Sequence, residues 1–261
     1  MKVLMVGDIV GKGGRRSVID SVPRLREELG CQLCIANGEN MAGGGGMTVK
    51  CVNSLSHAKV DVVTGGDHMW DQKEFVDGIS AFSHVLRPAN LNVLQPGRGY
   101  GIFTASNGVN VGVISLQGRS LMTKVADNPF TAADRIVNEI RKTTPVIFVD
   151  MHAEATSEKV AMGRYLDGRV SAVLGTHTHV PTADDQVFEG GTAFQCDVGM
   201  VGSRHSVLGR AVDPVVHHFS TGMPAKFSVV ENEIRLHATV VEVDAEEGHA
   251  YSTERVRRDW D

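Results

Sequence analysis

The chain has 261 residues, of which 42% are hydrophobic, and its formal net charge is −5 at pH 7. This length allows one large α/β domain or two small ones, with enough apolar residues for a substantial core. The acidic balance excludes a broadly basic surface for duplex nucleic acid. No apolar run is long enough to span a membrane.

The four cysteines favour a reducing compartment over a disulfide framework. Cys31 and Cys34 have the spacing of a redox or zinc motif, but they begin a predicted strand, on which residues three apart face opposite sides. No second cysteine pair completes a structural zinc site. The N-terminal apolar segment, residues 1–6, is too short for a signal peptide. We therefore expect buried, reduced thiols and a cytoplasmic protein.

In the N-terminal third of the chain, buried-strand patterns alternate with helical patterns. Strands are predicted at 2–6, 33–36, 60–64 and, as a short one, 84–86, and helices at about 17–29, 48–57 with Thr48 as its cap, and 71–79. This alternation predicts parallel strand pairing with right-handed crossovers.

A glycine-rich segment, Gly-Lys-Gly-Gly-Arg at 11–15, follows the first strand. A turn of this kind between strand and helix can bind phosphate through backbone N–H groups. It is not a Walker A loop, because no Ser or Thr follows Lys12, and it is a poor dinucleotide fingerprint. We expect a turn here, with the helix beginning near Ser17.

The rest of the chain carries further strand and helix patterns. Strands are predicted at 99–104, 109–116, 145–149, 170–174, 192–196, 225–230 and 234–243, helices at 131–142, capped by Thr131, and at 155–166, and a loop or short helix around 205–218. The first two of these strands and the last two are expected to form antiparallel hairpins. The lack of a Pro- or Ser-rich linker favours a single domain over residues 1–261, with a loosely ordered charged tail at about 247–261.

Residues with metal-binding side chains follow several of these strands. They are Asp8, Glu39, Asn40, Asp67, His68, His152, His177 and His179. In open α/β sheets, ligands bind at the carboxyl ends of the strands. Carboxylate, amide oxygen and imidazole are ligands of divalent ions, and there are more of them here than one ion needs. Two ions that share a bridging carboxylate would use them all, and such pairs catalyse phosphoryl displacement.

Each of these features, taken alone, has an ordinary alternative explanation. Asp8 could cap a helix, and the glycines at 43–46 could be a flexible linker rather than a place where the backbone approaches a ligand. His177 and His179 could be solvated loop residues. If the strand at 170–174 continues through them, however, both histidines project from one face at its carboxyl end.

Six stretches of sequence carry motifs that are specific when taken together. They are Gly-Asp-Ile-Val-Gly at 7–11, Asn-Gly-Glu-Asn at 37–40, Leu-Arg-Pro-Ala-Asn at 86–90, Leu-Gln-Gly-Arg at 116–119, His-Ala-Glu-Ala-Thr-Ser-Glu-Lys at 152–159 and Gly-Thr-His-Thr-His-Val at 175–180. In these motifs the chain resembles the calcineurin-like metallophosphoesterases, and among them the bacterial YmdB-type 2′,3′-cyclic-nucleotide phosphodiesterase subfamily. The resemblance covers essentially the whole chain except its C-terminal end.

The resemblance implies an α/β fold in which two mixed β-sheets pack as a sandwich flanked by helices. It also implies two metal ions, one held by Asp8, Glu39, Asn40 and His179 and the other by Glu39, Asp67, His152 and His177, with Glu39 as the bridge. His68 would stay off the metals and act as the catalytic acid toward the leaving oxygen. The expected reaction is hydrolysis of a small cyclic nucleotide, a 2′,3′-cyclic nucleoside monophosphate, by attack of a metal-bound hydroxide on phosphorus.

The ligand set contains no thiolate and does not select zinc strongly, so we expect iron or manganese. The expected partners are the nucleotide phosphodiester substrate and further copies of the chain in a homo-oligomer. Neither duplex nucleic acid nor a membrane is expected as a partner.

Three positions depart from the wider family. Val10 replaces a metal-binding histidine, for which the amide of Asn40 is the expected substitute, and Glu39 replaces a bridging aspartate, as in the subfamily. Asp67 stands where most members have asparagine, and its added negative charge should tighten the binding of hard cations. Outside these motifs, Arg119 is expected to be structural, whereas the loop of His205 could reach the site.

Two other functions use similar residues. One is a phosphomonoesterase or phosphoprotein phosphatase, which would need the same metals. The other is a weakly catalytic regulatory protein that binds a nucleotide. A pure binder has no need of an acid beside the metals, so His68 favours the enzyme.

Overall fold

The computed structural model describes residues 1–261 apart from the side chain of Ser56. The strands are β1 Lys2–Val6, β2 Asp8–Ile9, β3 Leu33–Asn37, β4 Val62–Thr64, β5 Val85–Leu86, β6 Tyr100–Thr104, β7 Asn110–Gln117, β8 Ile147–His152, β9 Ala172–Thr176, β10 Gln186–Val187, β11 Ala193–Gln195, β12 Met200–Ser203, β13 Ile234–Val243 and β14 Ala250–Trp260. The helices are α1 Gly11–Leu29, α2 Val49–Leu55, α3 Lys73–Gly78, α4 Pro129–Ile140, α5 Thr156–Tyr165 and α6 Val212–Thr221, and short 3₁₀ turns follow α2 and α3.

The strands form two mixed sheets, which confirms the predicted fold class. One sheet has the order β2-β12-β13-β1-β3-β4-β5, with β14 also paired to β13, and the other has the order β10-β11-β9-β8-β7-β6. Side chains on a strand alternate between the two faces of its sheet. Val3 and Met5 of β1 therefore pack with Phe148 of β8 between the sheets, while Leu4 lies in the cluster that includes Val18 of α1.

Parallel pairing brings the carboxyl ends of several strands to the same edge of each sheet. In the first sheet β1, β3, β4 and β5 are parallel neighbours, and in the second β7, β8, β9 and β11 are parallel neighbours. The predicted strand-end residues lie at or just after the carboxyl ends of β1, β3, β4, β8 and β9, with His152 as the last residue of β8 and Asp8 as the first residue of the short strand β2. In the described part of the chain, no helix is long and apolar enough to cross a membrane.

The glycine-rich segment at 11–15 is part of helix α1, and the predicted turn there is wrong. The helix starts at Gly11, and the backbone N–H of Gly14 already donates to the carbonyl oxygen of Val10 at 3.1 Å. A Cβ on Gly14 would lie 2.4 Å from the carbonyl oxygen of Val201, and one on Gly13 would lie 2.5 Å from that of Glu231. These glycines therefore allow the helix to pass close to neighbouring backbone, and they do not form a phosphate-binding loop.

The C-terminal predictions are also wrong. Segment 225–230 is not a strand of a hairpin with 234–243, and the tail predicted to be loose at 247–261 contains β14, which pairs antiparallel with β13 from Ile234↔Trp260 to Val243↔Ala250. Most side chains of β14 face solvent, whereas Ala250 and Val256 are buried. A strand with one solvent face needs few apolar residues, so its composition resembled that of a tail.

One smaller difference has a local cause. Helix α4 begins at Pro129 rather than at 131, because the Asn128 side chain accepts a hydrogen bond from the backbone N–H of Phe130 at 2.9 Å and proline suits the first helical position. The short strands β2, β10 and β12 were not predicted. The Thr48 hydroxyl oxygen caps α2 as predicted, accepting from the backbone N–H of Cys51 at 3.1 Å.

The four cysteines are free and buried, as predicted. Burial strongly raises the pKa of the Cys34 thiol, so this residue is a packed, unreactive group.

Candidate metal centre

The predicted ligand residues lie close together where the strand ends of the two sheets meet. Glu39, Asp67, His152 and His177 each offer a ligand atom, and these atoms lie within 4.8 Å of one another. Asp8 adjoins this group, because its carboxylate lies 3.9 Å from both His152 and His179. Asn40 contacts His179 in turn. The structure thus brings together all the side chains for which the sequence predicted metal binding.

Hydrogen bonds around the first group fix which atoms face its centre. The Thr176 hydroxyl donates to Asp150 at 2.6 Å, so it accepts from Nδ1 of His152 at 2.8 Å. Nε2 of His152 is therefore left facing Glu39 at 3.1 Å and Asp67 at 3.2 Å. The centre of this group is surrounded by electron-pair donors.

His177 is oriented in the same way by a carboxylate outside the group. Its Nε2 lies 3.2 Å from Glu154, which can only accept a hydrogen bond when ionised. Its Nδ1 is then the free lone pair, 3.1 Å from Nε2 of His152 and 3.4 Å from Asp67. Such carboxylate–histidine contacts are the usual means by which metal-binding histidines are held in one tautomer.

A second group of acceptors contains Asp8, Asn40 and His179. Nδ1 of His179 donates to the carbonyl oxygen of Leu208 at 3.3 Å, so its Nε2 lone pair faces Oδ1 of Asn40 at 3.1 Å. Asp8 is fully buried, and its Oδ1 has no hydrogen-bond partner among the described residues. Two facing acceptors and an unpaired buried carboxylate oxygen fit a cation at this position.

The electrostatics of the cluster favour a bound cation as well. Burial raises the pKa of Asp8 well above its usual range, with a further contribution from the charge of Glu39. Burial alone would lower the pKa of His152, but Glu39 and Asp67 outweigh it and raise that pKa well above its usual range. Burial also lowers the pKa of His179 to about 4, so this imidazole is neutral at pH 7, the form that binds metals.

The strand before His177 and His179 does not continue through them, so the condition for both histidines to project from one strand face is not met. Strand β9 ends at Thr176, and the two histidines have φ values of 96° and 64°. Left-handed backbone at a non-glycine residue costs free energy and persists only where the surroundings impose it. Both side chains reach the cluster from this turn rather than from one strand face.

A buried ion pair holds this turn in place. Asp197 accepts hydrogen bonds from the backbone N–H of Thr178 at 3.0 Å and from its hydroxyl at 2.7 Å. Nζ of Lys159 lies 2.8 Å from Asp197 and donates to the carbonyl oxygen of Thr176, also at 2.8 Å. Lys159 and Asp197 are 1% and 0% exposed, so the pair is shielded from solvent.

The predicted catalytic acid, His68, adjoins the cluster. Its backbone N–H donates to Glu39 at 3.1 Å, and Nδ1 of its ring lies 2.6 Å from Asp71. Burial alone would lower the pKa of His68, but the charge of Glu39 and the hydrogen bond with Asp71 raise it. Nε2 is the ring nitrogen left for a ligand. The backbone just before His68 can lie against the cluster because residue 66 is glycine. A Cβ at Gly66 would lie 2.1 Å from the His152 ring.

Sequence reasoning missed five residues that orient the predicted ones: Asp71, Asp150, Glu154, Lys159 and Asp197. Asp71 was assigned only to the start of a helix, although His68 and Asp71 are three residues apart, a spacing that allows contact within one turn. Asp150 and Glu154 flank His152 at two-residue spacing, which is the one local signal for them. The contact between Lys159 and Asp197 has no local signal, since 38 residues separate them.

A cavity of about 250 Å³ opens beside the cluster, and Glu39, Asn40, His68, His177 and His179 line one side of it. Arg119 is not among its lining residues, and its backbone N–H donates to Glu158 at 3.0 Å. His205 does not line the cavity either, but the loop after it does, through Val207, Leu208 and Arg210.

Comparisons with known proteins match nearly the whole chain. The family model for "YmdB-like protein" matches residues 4–256. The chain is 43% identical over 256 residues to the 2′,3′-cyclic-nucleotide 2′-phosphodiesterase of Bacillus subtilis (strain 168), covering 98% of this chain and 96% of that protein.

Two crystal structures resemble the fold over nearly its whole length. One is a hypothetical protein from Thermus thermophilus, with a TM-score of 0.92 and 38% identity, covering 99% of both chains. The other is a novel phosphatase from Mycoplasma pneumoniae, with a TM-score of 0.92 and 30% identity, covering 99% of this chain and 93% of that one.

Proposed function

Because this chain belongs to the YmdB-like family, we propose that it is a metal-dependent phosphodiesterase that hydrolyses small cyclic nucleotides, with 2′,3′-cyclic nucleoside monophosphates as its substrates. One observation carries the proposal: carboxylate and imidazole ligand atoms of four side chains lie within 4.8 Å of one another, and Asp8, Asn40 and His179 adjoin them. His152 and His177 are held by Thr176 and Glu154 so that the other ring nitrogen of each faces Asp67. Such a convergence is chemically suited to metal ions next to a small cavity.

We assign two ions to the cluster. Asp8, Asn40 and His179 would hold one, Asp67, His152 and His177 would hold the other, and Glu39 would bridge them. The oxygen and nitrogen ligands, without thiolate, support iron or manganese rather than a dedicated zinc site. Bound there, the ions would supply a nucleophile at neutral pH and neutralise charge on the phosphoryl oxygens.

The residues of the chain perform the remaining steps. Opening a 2′,3′-cyclic diester consumes one water, breaks one bond between phosphorus and a ribose oxygen, and leaves a phosphomonoester and a free hydroxyl. The departing ribose oxygen must gain a proton, and Nε2 of His68 would donate it. Asp71 accepts from Nδ1 of that ring at 2.6 Å and holds it in orientation. A positioned acid of this kind contributes about 10²–10⁴-fold to the rate.

A substrate panel tests the activity. Protein reconstituted with iron or manganese is assayed on 2′,3′-cyclic, 3′,5′-cyclic and linear diesters and on phosphomonoesters. We expect the highest kcat/KM with the 2′,3′-cyclic diesters. A preference for monoesters would support the phosphatase alternative, and nucleotide binding without turnover would support the regulatory one.

Elemental analysis of the same preparations tests the metal assignment. We expect two ions per chain, and fewer than about one equivalent after reconstitution would contradict the two-ion centre.

Localisation and assembly complete the proposal. We assign the protein to the cytoplasm on its four buried free cysteines. Homo-oligomer formation stays a prediction, which light scattering on the purified protein measures directly.

A further inference from the structure

The cavity beside the metal centre has a second, apolar side that the proposed chemistry does not use. Its lining residues there are Val10, Val207, Leu208, Val215, Phe219 and Phe227. Phe219 is 80% exposed, Leu208 44% and Phe227 37%. Large apolar side chains at the open side of a ligand cavity commonly mark a binding surface.

Hydrogen bonds and a ring contact hold the segments of this apolar wall together. The backbone N–H of Ala211 donates to Ser228 at 2.9 Å, and that of Val230 donates to Gly209 at 3.0 Å, so the loop at 207–211 is joined to the segment that carries Phe227. Phe227 also packs edge-on against His218 of α6, with ring centroids 5.6 Å apart.

Val10 forms the floor of the wall. It is 2% exposed. A Cβ on Gly209 would lie 2.7 Å from its Cγ1, so the loop that carries Leu208 packs directly onto it. Val10 thus extends the apolar surface to the edge of the metal centre, since Asn40 and His179 line the same cavity.

The charged residue in the loop at 207–211 is Arg210, and its side chain is already engaged. The guanidinium of Arg210 donates to the carbonyl oxygens of Gly43 at 3.5 Å and Gly44 at 2.5 Å. Arg210 therefore holds the glycine loop at 43–46 beside the cavity. The wall that faces a ligand is aromatic and aliphatic.

We propose that this wall is the nucleobase subsite, with Phe219 and Phe227 stacking on the base of a nucleotide whose phosphodiester lies at the metal centre. The inference rests on the proposed function, since it places the remaining part of the same substrate. A cavity of about 250 Å³ suits a small ligand rather than a polymer. Aromatic side chains bind bases through their π-faces with little preference among bases, so broad base tolerance is expected.

The test compares two substrates with the same five-membered cyclic diester: 2′,3′-cyclic AMP, and glycerol 1,2-cyclic phosphate, which has no base. For Phe219→Ala and Phe227→Ala we expect KM for 2′,3′-cyclic AMP to rise about fivefold or more, with kcat nearly unchanged. KM for the glycerol compound should change by less than about twofold. Phe219→Trp, which keeps an aromatic ring, should have a KM for 2′,3′-cyclic AMP close to that of the wild type. Val216→Ala is the matched control, because Val216 is 53% exposed on α6 but does not line the cavity.

Equal effects on both substrates, or none on either, would overturn the subsite. The competing occupant of α6 is a second copy of the chain, which light scattering detects. Loss of an oligomer in Phe219→Ala without a selective rise in KM would also overturn it. If the wild type hydrolyses neither compound, the proposed function fails by itself. Calorimetric binding of adenosine 3′-monophosphate to the same variants then decides the subsite separately, weakened binding supporting it and unchanged binding overturning it.

Discussion

Replacing Lys159 by methionine tests whether the buried ion pair with Asp197 supports the metal-binding turn. Nζ of Lys159 makes two contacts of 2.8 Å, one to Asp197 and one to the carbonyl oxygen of Thr176. Methionine fills a similar volume without the charge, so the carboxylate of Asp197 is left buried without its cation.

The structure sets the expected size of the effect. Removing one partner of a buried ion pair costs about 3–5 kcal/mol. Asp197 keeps hydrogen bonds from Thr178 at 3.0 and 2.7 Å and from the N–H of Gly199 at 2.8 Å. These bonds stabilise the remaining carboxylate, so we expect the low end, about 3 kcal/mol. Because natural domains are stable by only about 5–15 kcal/mol, this loss is readily measured.

Urea unfolding of chelator-treated protein gives the free energy without a contribution from bound metal, and an unchanged m-value confirms that only stability has changed. Lys142→Met is the matched control, since Lys142 pairs with Glu139 at 2.6 Å with 69% of its side chain exposed. Such surface pairs contribute at most about 1 kcal/mol. The double variant Lys159→Met/Asp197→Asn should recover at least about 1 kcal/mol of the loss.

The metal-loaded variant should also bind metal more weakly, because His177 and His179 adopt left-handed backbone in the turn that this pair holds. A loss in Lys159→Met no larger than that in Lys142→Met would refute the reasoning about burial. If Lys159→Met loses the expected stability but binds metal as tightly as the wild type, the ion pair does not support the metal-binding turn.

Three further variants test other parts of the structure. Glu39→Gln removes the charge expected to lie between two cations, so it should lose at least one metal by elemental analysis and nearly all activity while circular dichroism stays native; normal metal content and turnover would make Glu39 structural. His68→Ala should keep both metals and lower kcat by about 10²–10⁴-fold on a ribose-leaving substrate but much less with a p-nitrophenyl leaving group, which needs no proton; equal losses would contradict the acid role. Gly14→Ala places a Cβ 2.4 Å from the carbonyl oxygen of Val201. The midpoint of its urea unfolding should therefore fall by an amount equivalent to about 1–3 kcal/mol. An unchanged midpoint would show that α1 moves to accept the Cβ without loss of stability.

The sequence predicted the elements whose signals are local. Buried strands such as β1 and β3 are nearly continuous apolar runs, and these runs were predicted within one residue of their observed bounds because strands covered on both faces of the sheet need apolar side chains throughout. The residues at their carboxyl ends were found for the same reason. A polar residue that directly follows an apolar run is visible without any knowledge of the fold.

Where long-range contacts decide the conformation, the sequence was misleading. The segment at 11–15 has the composition of a turn, but it is helical because its glycines fit against the backbone of Val201 and Glu231. The segment at 250–260 has the composition of a tail, but β13 supplies its hydrogen bonds. In both cases the partner lies outside the window in which a propensity operates.

The same distinction between local signals and long-range contacts applies to the site. The sequence by itself determined which side chains carry the acceptor groups, because residue type and position after a strand are properties of the chain. Only the tertiary structure decided their tautomers and directions, since these depend on Asp71, Glu154 and the Lys159–Asp197 pair, which contact the histidines or their turn. A hydrogen bond of about 3 Å requires two groups to meet in space, and for Lys159 and Asp197 the partners come from separate elements that only the packed sheets and helices bring together.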